Sequence, residues 1–262
     1  MTARDDLIAA SDRLASAERL LVASDFDGTI SPIVPVPGDA RMIESARRAL
    51  AALADCPRTF VAVVSGRDLA MLRMVCPPIP GVEMFGSYGA ERSGHDRPAT
   101  PGETADLDEL ASRLSAIADP IAGAFVERKS LSVSINVRLV SRPEAASAAL
   151  DRAHAASANL PGLTRHLGRG VVEWGVRPTR KGDVLDILRL ETDATMTVAL
   201  GDDEPDMEAF DRLDHADVRI LVSGSAGPGI IPVASPREAA DWLERLAQAR
   251  RTWVENNAVS RD

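Results

Sequence analysis

Apolar positions in the first ninety residues follow two rhythms. Residues 3–19 place Leu7, Ile8, Leu14 and Ala15 at helical spacing among charges, which predicts an amphipathic helix. An unbroken apolar run follows, Leu20-Leu21-Val22-Ala23, and stops at Asp25-Phe26-Asp27-Gly28-Thr29. The sequence of events then repeats. A helix over 41–54 leads to the apolar strand 59–64, which ends at Ser65-Gly66-Arg67. A helix over 68–75 leads to a short strand over 82–85, which ends at Gly86-Ser87-Tyr88-Gly89-Ala90-Glu91. Continuously apolar strands suit a parallel sheet covered on both faces. Their alternation with helices predicts an α/β, doubly wound core.

The rhythm changes after Glu91. Residues 92–102 are rich in Gly, Pro and charge, as a linker is. Beyond them the pattern predicts helix 105–118, strands 122–128 and 131–139, helix 143–157, and strands 162–167 and 171–175, the last two joined in a tight hairpin at Arg169-Gly170. Helix–strand–strand, given twice, makes an antiparallel α+β module. Parallel character resumes with helix 181–190 and strand 195–200, which ends at Gly201-Asp202-Asp203-Glu204-Pro205-Asp206. A helical turn over 207–213, a final strand over 218–222 and a closing helix over 236–250 complete the pattern, ahead of a frayed tail. The expected division is a core of residues 1–94 and 178–262, with 95–177 inserted as a second domain.

Composition adds exclusions. The 262 residues are 45% hydrophobic and 26% charged, which fits a folded globular protein and not a disordered chain. A net charge of -9 argues against general binding to nucleic acid or an anionic membrane, because both need basic patches. It leaves room for a small phosphate-bearing substrate, which feels the local field of a site. No run approaches the roughly 20 apolar residues of a membrane helix, and the charge-broken N-terminus carries no signal-type apolar segment. A cytoplasmic, monomeric protein is expected. Cys56 and Cys76 lie in no metal or redox spacing and should behave as small buried apolar residues. His95, His154, His166 and His215 show no ligand spacing and are expected on the surface or in loops. Trp242 and Trp253 should pack, while Trp174, beside Glu173, is the aromatic candidate to border a ligand.

Three predicted strands of one sheet end in polar residues suited to chemistry: Asp25, Ser65 and Asp202. In an open α/β sheet the ligand crevice lies beyond the carboxyl ends of the strands, so these residues should converge. Asp25 and Asp27 pair a candidate nucleophile with a candidate acid/base. Gly28 permits a sharp turn, and amides around Gly28 and Thr29 can hold phosphate oxygens. Ser65 and Gly66 at a helix start can donate to phosphate, and Lys181 supplies a point charge. Asp202, with Asp203 or Asp206, adds hard oxygen ligands beside Asp25, a set that suits Mg²⁺. This inventory fits phosphoryl transfer, which needs positioning and charge stabilisation above all.

The elements Asp25-Phe26-Asp27-Gly28-Thr29, Ser65-Gly66-Arg67, Lys181-Gly182 and Gly201-Asp202-Asp203 with Asp206 resemble the four ordered motifs of the haloacid-dehalogenase (HAD) superfamily of phosphatases. The longer stretches Asp25 to Ile33, Val64 to Arg67, Gly86 to Glu91, and Gly201-Asp202-Asp203 with Phe210 are similar to the trehalose-6-phosphate phosphatase family. The resemblance implies a Rossmann-like core with an inserted type IIB cap. It implies Mg²⁺-dependent hydrolysis of trehalose 6-phosphate through an aspartyl-phosphate on Asp25, with Asp27 as acid/base. Mg²⁺ would be bound by Asp25, the carbonyl of Asp27, and Asp202, with Asp206 in support. Phosphate would be held by Gly28, Thr29, Ser65, Gly66 and Lys181, and the substrate by Arg67, Glu127, Lys129 and Glu173. Glu127-Arg128-Lys129 is similar to the family's Glu-x-Lys element, and Glu173 to its later glutamate.

Five positions depart from that pattern. Tyr88 replaces a usual histidine, Asn136-Val137 replaces the first two residues of a His-Tyr-Arg strand, and Pro205-Asp206-Met207 replaces Thr-Asp-Glu. They bear on substrate choice and leave the nucleophile, acid and first metal ligand in place. Three further readings stay open: a related sugar-phosphate phosphatase, such as one for a glycosyl-glycerate phosphate; a weakly catalytic regulatory subunit; and a phospho-accepting receiver. The second carboxylate, Asp27, and the inserted module speak against the last.

Overall fold

The computed structural model describes residues 3–95, 97–160, 162–168, 170–224 and 227–259. The chain divides into two compact units, one of Met1–Ser93, Lys181–Asp202 and Asp206–Asp262, the other of Gly94–Arg180 and Asp203–Pro205. In chain order the elements begin with α1 (Ala3–Ala15), β1 (Leu20–Ser24), α2 (Glu44–Ala54), β2 (Thr59–Val64), α3 (Leu69–Val75), β3 (Val82–Gly86) and β4 (Glu91–Arg92). The insertion holds α4 (Pro101–Ala118), β5 (Phe125–Arg128), β6 (Ser132–Asn136), α5 (Pro143–Ser157), β7 (Thr164–Gly168) and β8 (Val171–Gly175). Then come α6 (Lys181–Thr192), β9 (Met196–Gly201), α7 (Glu204–Phe210), β10 (Val218–Val222), β11 (Ile230–Val233) and α8 (Pro236–Val259).

The first unit is built on a sheet of order β11-β10-β9-β1-β2-β3-β4, parallel throughout except for the short β4. Its strands are apolar on both faces because helices cover both. Side chains alternate along a strand, and the packing follows that period. Leu20 and Val22 join Val61, Val63, Val198 and Ile220 against α1, α2 and α8, while Leu21 packs with Ala62, Val64 and Leu188 of α6. Ala23 packs with Ala199, Leu185, Phe210 and Leu221 on that second side. Each fully buried leucine here stabilises the fold by about 1.5–3 kcal/mol relative to exposure. β1 is central, so Asp25, the residue after it, emerges at the middle of the sheet's carboxyl edge.

The second unit is a four-stranded antiparallel sheet of order β5-β6-β8-β7. Val133, Ile135, Val172 and Trp174 pack against Leu107, Leu110 and Leu114 of α4 and Ala149 and Ala153 of α5. The capping box at Thr100 and Glu103 starts α4 at Pro101, inside the stretch expected to be linker. Two donors are thereby satisfied reciprocally. Of the expected hairpin at Arg169-Gly170, Arg169 lies outside the described residues; Gly170 has φ +69°, the left-handed conformation that a tight turn requires.

Several boundaries differ from expectation. α1 stops at Ala15, not 19, and a distant residue meets its end. Arg250, fully buried, donates to the carbonyls of Ala15, Ala17, Pro57 and Arg58 and to the hydroxyl of Thr59. It takes up the last carbonyl of α1, at Ala15, and the Ala17 carbonyl just beyond it, which the helix end leaves without an intrahelical donor. The same residue explains why α8 runs on to Val259 instead of fraying at 250. Arg250 lies 4.9 Å over the ring of Trp253, tying the last turns to the core. The strand 218–222 is not the last, for β11 pairs with it in parallel at the sheet edge. Its Pro232 hides it from pattern reading, yet an edge strand tolerates proline. α7 starts three residues before the expected turn, with Pro205 in its first turn, where proline is favoured. Both cysteines are buried and free, and burial pushes the Cys76 thiol up to about 11.

Candidate active site

Asp25 continues the β1–β9 ladder, its amide donating to the Leu200 carbonyl at 3.0 Å. Its carboxylate is fixed by two donors. Lys181 Nζ lies 2.6 Å from Oδ1, and the Thr29 hydroxyl lies 3.1 Å from Oδ2. Lys181 opens α6 and also donates to Asp206 Oδ1 at 2.8 Å, so one buried ammonium bridges two buried carboxylates. Asp206 Oδ2 in turn accepts the Asp202 amide at 3.1 Å, which folds the loop after β9 back on itself. Gly201 makes this possible, since a Cβ there would fall 2.2 Å from the Asp206 side chain.

Asp25, Asp202 and Asp206 each offer an oxygen within 4.8 Å of the others. Three carboxylates against one ammonium leave negative charge concentrated at the carboxyl edge of the sheet, in surroundings of reduced dielectric. The donor set is all hard oxygen, without thiolate or imidazole, and suits Mg²⁺ better than a softer ion. Of the two supporting carboxylates considered for the loop, Asp206 is the one that joins this group.

Gly28 carries φ +83°, and a Cβ on it would lie 2.2 Å from Asp202 Oδ2. Glycine is required there both by the backbone and by the space Asp202 occupies. The Gly28 amide, expected to hold phosphate, is committed to the Ser31 carbonyl at 2.7 Å, so it closes the turn instead. Thr29, whose amide is expected at phosphate, orients Asp25 through its hydroxyl. Arg67, expected to meet the substrate, forks onto Asp27 (Nε to Oδ2 2.5 Å, a terminal nitrogen to Oδ1 2.7 Å) and donates to the Pro37 carbonyl at 2.8 Å. A bidentate fork fixes the plane of a carboxylate as well as its place. Ser65 stands at the end of β2, next to β1, with its hydroxyl accepting the Arg67 amide at 3.1 Å.

The second unit holds its own polar constellation. Across its sheet the register aligns Glu127, Ser134, Glu173 and His166 in one row, on the face opposite the apolar one. Lys129 Nζ sits 2.9 Å from both oxygens of Glu173, and the Ser132 hydroxyl donates to the same carboxylate. Glu127 is two strands from Glu173, about 10 Å along the row. His166 is buried in β7, not a surface or loop residue as expected. Trp174 points away from Glu173 into the helix-covered core, where it is 2% exposed, and so does not border this face. Asn136 accepts the Arg138 amide at 3.0 Å, and Val137 joins the core.

Sequence reasoning passed over the Asp27–Arg67 fork, the Thr29–Asp25 bond and His166. The first spans 40 positions and has no local signature. The third was visible only as a polar residue in a strand, opposite Glu173 once the register is known.

The family model described as Trehalose-phosphatase matches residues 23–240, most of the chain and both units. The chain belongs to the trehalose-phosphatase family. Among its members, the trehalose-phosphate phosphatase of Mycobacterium leprae is 32% identical over 260 residues, covering 89% of this chain and 58% of that protein. The Mycobacterium avium trehalose-phosphate phosphatase is 35% identical over 251 residues, covering 85% of this chain and 61% of that one. The chain thus spans roughly three-fifths of the length of these trehalose-phosphatase relatives. The C-terminal domain of Candida albicans trehalose-6-phosphate phosphatase has the same fold, with a TM-score of 0.79 at 18% identity over 94% of this chain and 97% of that one. The fold is therefore the HAD-type α/β fold of this family. No helix among the described residues is long and apolar enough to cross a membrane.

Proposed function

We propose that this chain is a phosphoric monoester hydrolase that converts trehalose 6-phosphate to trehalose and phosphate. The observation that carries the reading is the Asp25 carboxylate, held at both oxygens at the centre of the sheet's carboxyl edge, beside Asp202, Asp206 and Lys181 and two residues before Asp27. Asp25 attacks phosphorus, the phosphorus–sugar oxygen bond breaks, and Asp27 gives its proton to the departing sugar oxygen. Water then attacks the phosphorus of the aspartyl-phosphate, Asp27 takes its proton, and phosphate leaves Asp25 free. Arg67 holds Asp27 through one oxygen while the other, released from the fork, carries the proton, and Lys181 offsets charge on the transferring group.

Asp25, Asp202, Asp206 and the Asp27 carbonyl would hold Mg²⁺. When bound, the ion lowers the repulsion between carboxylate and phosphate that otherwise opposes attack. Ser65 and the Gly66 amide serve the phosphate oxygens. Residues 1–94 and 178–262 act as the catalytic core, and 95–177 as the cap that selects the sugar, through Glu127, Lys129 and Glu173 on its polar face. Charged groups suit this task, since an analogue lacking the matching hydroxyls leaves buried charges unpaired. The setting is cytoplasmic and the protein monomeric, acting on a small sugar phosphate without nucleic acid.

Phosphate release by the purified protein with Mg²⁺ tests the proposal against a panel of trehalose 6-phosphate, glucose 6-phosphate and a glycosyl-glycerate phosphate. Trehalose 6-phosphate should be turned over fastest, and Asp25→Asn should abolish release. Preference for another ester would move the substrate assignment; undiminished turnover by Asp25→Asn would remove the mechanism.

A further inference from the structure

The loop after β3 is built against conformational preference. Ser87 has φ +49° and Tyr88 φ +57°, ψ +26°, two consecutive side-chain-bearing residues in left-handed backbone. Such residues cost backbone energy and persist only where their surroundings enforce them. The enforcement is visible. The Ser87 amide donates to the Arg67 carbonyl at 2.6 Å, and the Tyr88 amide to the Ser65 carbonyl at 2.9 Å. Glu91 Oε2 accepts both the Ser87 hydroxyl, at 2.6 Å, and the Leu69 amide, at 3.0 Å. Gly86 lets the two loops touch backbone to backbone, for a Cβ there would lie 2.5 Å from the Leu69 nitrogen.

The strained turn lays the Tyr88 ring on Gly66. A Cβ on Gly66 would fall 2.6 Å from Tyr88 Cζ and 2.7 Å from its Oη, so the tip of the phenol rests against that glycine. Tyr88 is only partly buried and belongs to none of the apolar core clusters. Core packing therefore does not account for an aromatic in this backbone. The loop it presses carries Ser65 and Arg67, the latter forked onto Asp27.

The geometry points to Tyr88 as a positioning residue, whose ring clamps the Ser65–Arg67 loop and through it sets the phosphate-facing hydroxyl and the acid/base. This rests on the reading of the core site as a phosphatase centre. The strain is then retained because the clamp serves the reaction.

Tyr88→Gly relieves the left-handed backbone and removes the clamp. It should leave the melting temperature unchanged or raise it by ~2–4 °C, the scale expected for a unit of this size. It should lower kcat on the order of 10–100-fold for trehalose 6-phosphate, as misplacement of reacting groups does, and also for p-nitrophenyl phosphate, though less, because that leaving group needs no proton. Tyr88→Phe keeps the ring and should recover most of the loss. Calorimetric binding of inorganic phosphate should weaken on the order of tenfold in Tyr88→Gly and much less in Tyr88→Phe. This arm decides the matter even where turnover of trehalose 6-phosphate is absent, so that failure of the substrate assignment stays separate. Stability and activity falling together in Tyr88→Gly would make Tyr88 a packing residue and overturn the proposal. So would wild-type kcat and phosphate affinity, a loss confined to the sugar substrate, or a Tyr88→Phe loss as deep as that of Tyr88→Gly.

Discussion

Gly28→Ala separates folding from chemistry at a single methyl group. The backbone there has φ +83°, and an L-residue in left-handed conformation costs about 1–2 kcal/mol. Loss of glycine's freedom in the unfolded chain returns roughly 0.4–1 kcal/mol. The net destabilisation is thus about 1 kcal/mol, a fall in Tm of roughly 2–4 °C for a unit of 150–250 residues. The effect on the site is larger. The new Cβ would sit 2.2, 2.5 and 2.8 Å from Oδ2, Cγ and Oδ1 of Asp202, so the whole carboxylate is struck. Ordinary carbon contacts lie at about 3.5–4.0 Å, so Asp202 must retreat by more than about 1 Å. A misplacement of that size costs on the order of 10² in rate, equivalent to about 2.7 kcal/mol of barrier. Thermal melting and Mg²⁺-dependent phosphate release, with Mg²⁺ binding followed by calorimetry, measure the two effects side by side. The expected result is a small change in Tm, weakened Mg²⁺ binding, and a drop of about 10² or more in kcat/KM. A variant with wild-type Mg²⁺ affinity and rate would refute the assignment of Asp202 to the metal and the role given to Gly28.

Three other perturbations probe separate features. Thr29→Val removes the hydroxyl that holds Asp25 Oδ2 while keeping the volume, and steady-state kinetics should show kcat down about tenfold with KM nearly constant, the value of one hydrogen bond to a charged group. Arg250→Met leaves the buried carbonyls of Ala15 and Ala17 without this donor, so denaturant unfolding should show a loss of about 2–5 kcal/mol, with kcat of the folded fraction unchanged at low temperature. Burial raises the Cys76 thiol from 9.0 to about 11, so the folded state holds its proton more tightly than the unfolded chain does. Its contribution is complete below pH 9 and is lost as pH rises toward 11, a decline in stability that Cys76→Ala should lack.

The strands of the core were legible because their environment is uniform. Leu20 to Ser24 is buried along its whole length, so the run is apolar without alternation, and its helices on either side announce a parallel sheet. The elements that escaped are those whose cause lies elsewhere in the chain. The last carbonyl of α1, at Ala15, is satisfied by Arg250, 235 positions away. β11 is an edge strand with a proline, stabilised by its neighbour β10 and not by its own pattern. β4 is two residues long and exists because β3 pairs with it. Local sequence carries periodicity; it does not carry the partner.

The candidate site divides along the same line. Which residues gather at the carboxyl edge follows from where apolar strands stop, and Asp25, Lys181, Asp202 and Asp206 are accordingly found together. What each side chain does there depends on which donor reaches it first. The Gly28 amide goes to Ser31 and the Thr29 hydroxyl to Asp25, so two groups suited by type to phosphate are spent on shaping the nucleophile's loop. Arg67, free by sequence to reach outward, finds Asp27 through a fork no spacing rule contains. In the inserted unit the register does the assigning: Glu173 lies between Ser134 and His166 only because β8 pairs with β6 and β7 in that alignment, and a shift of one residue would turn Trp174 onto the polar face instead. Trp174 is held in the apolar core by Leu107, Leu110 and Leu114, so the packing that buries the tryptophan is also what presents the carboxylate.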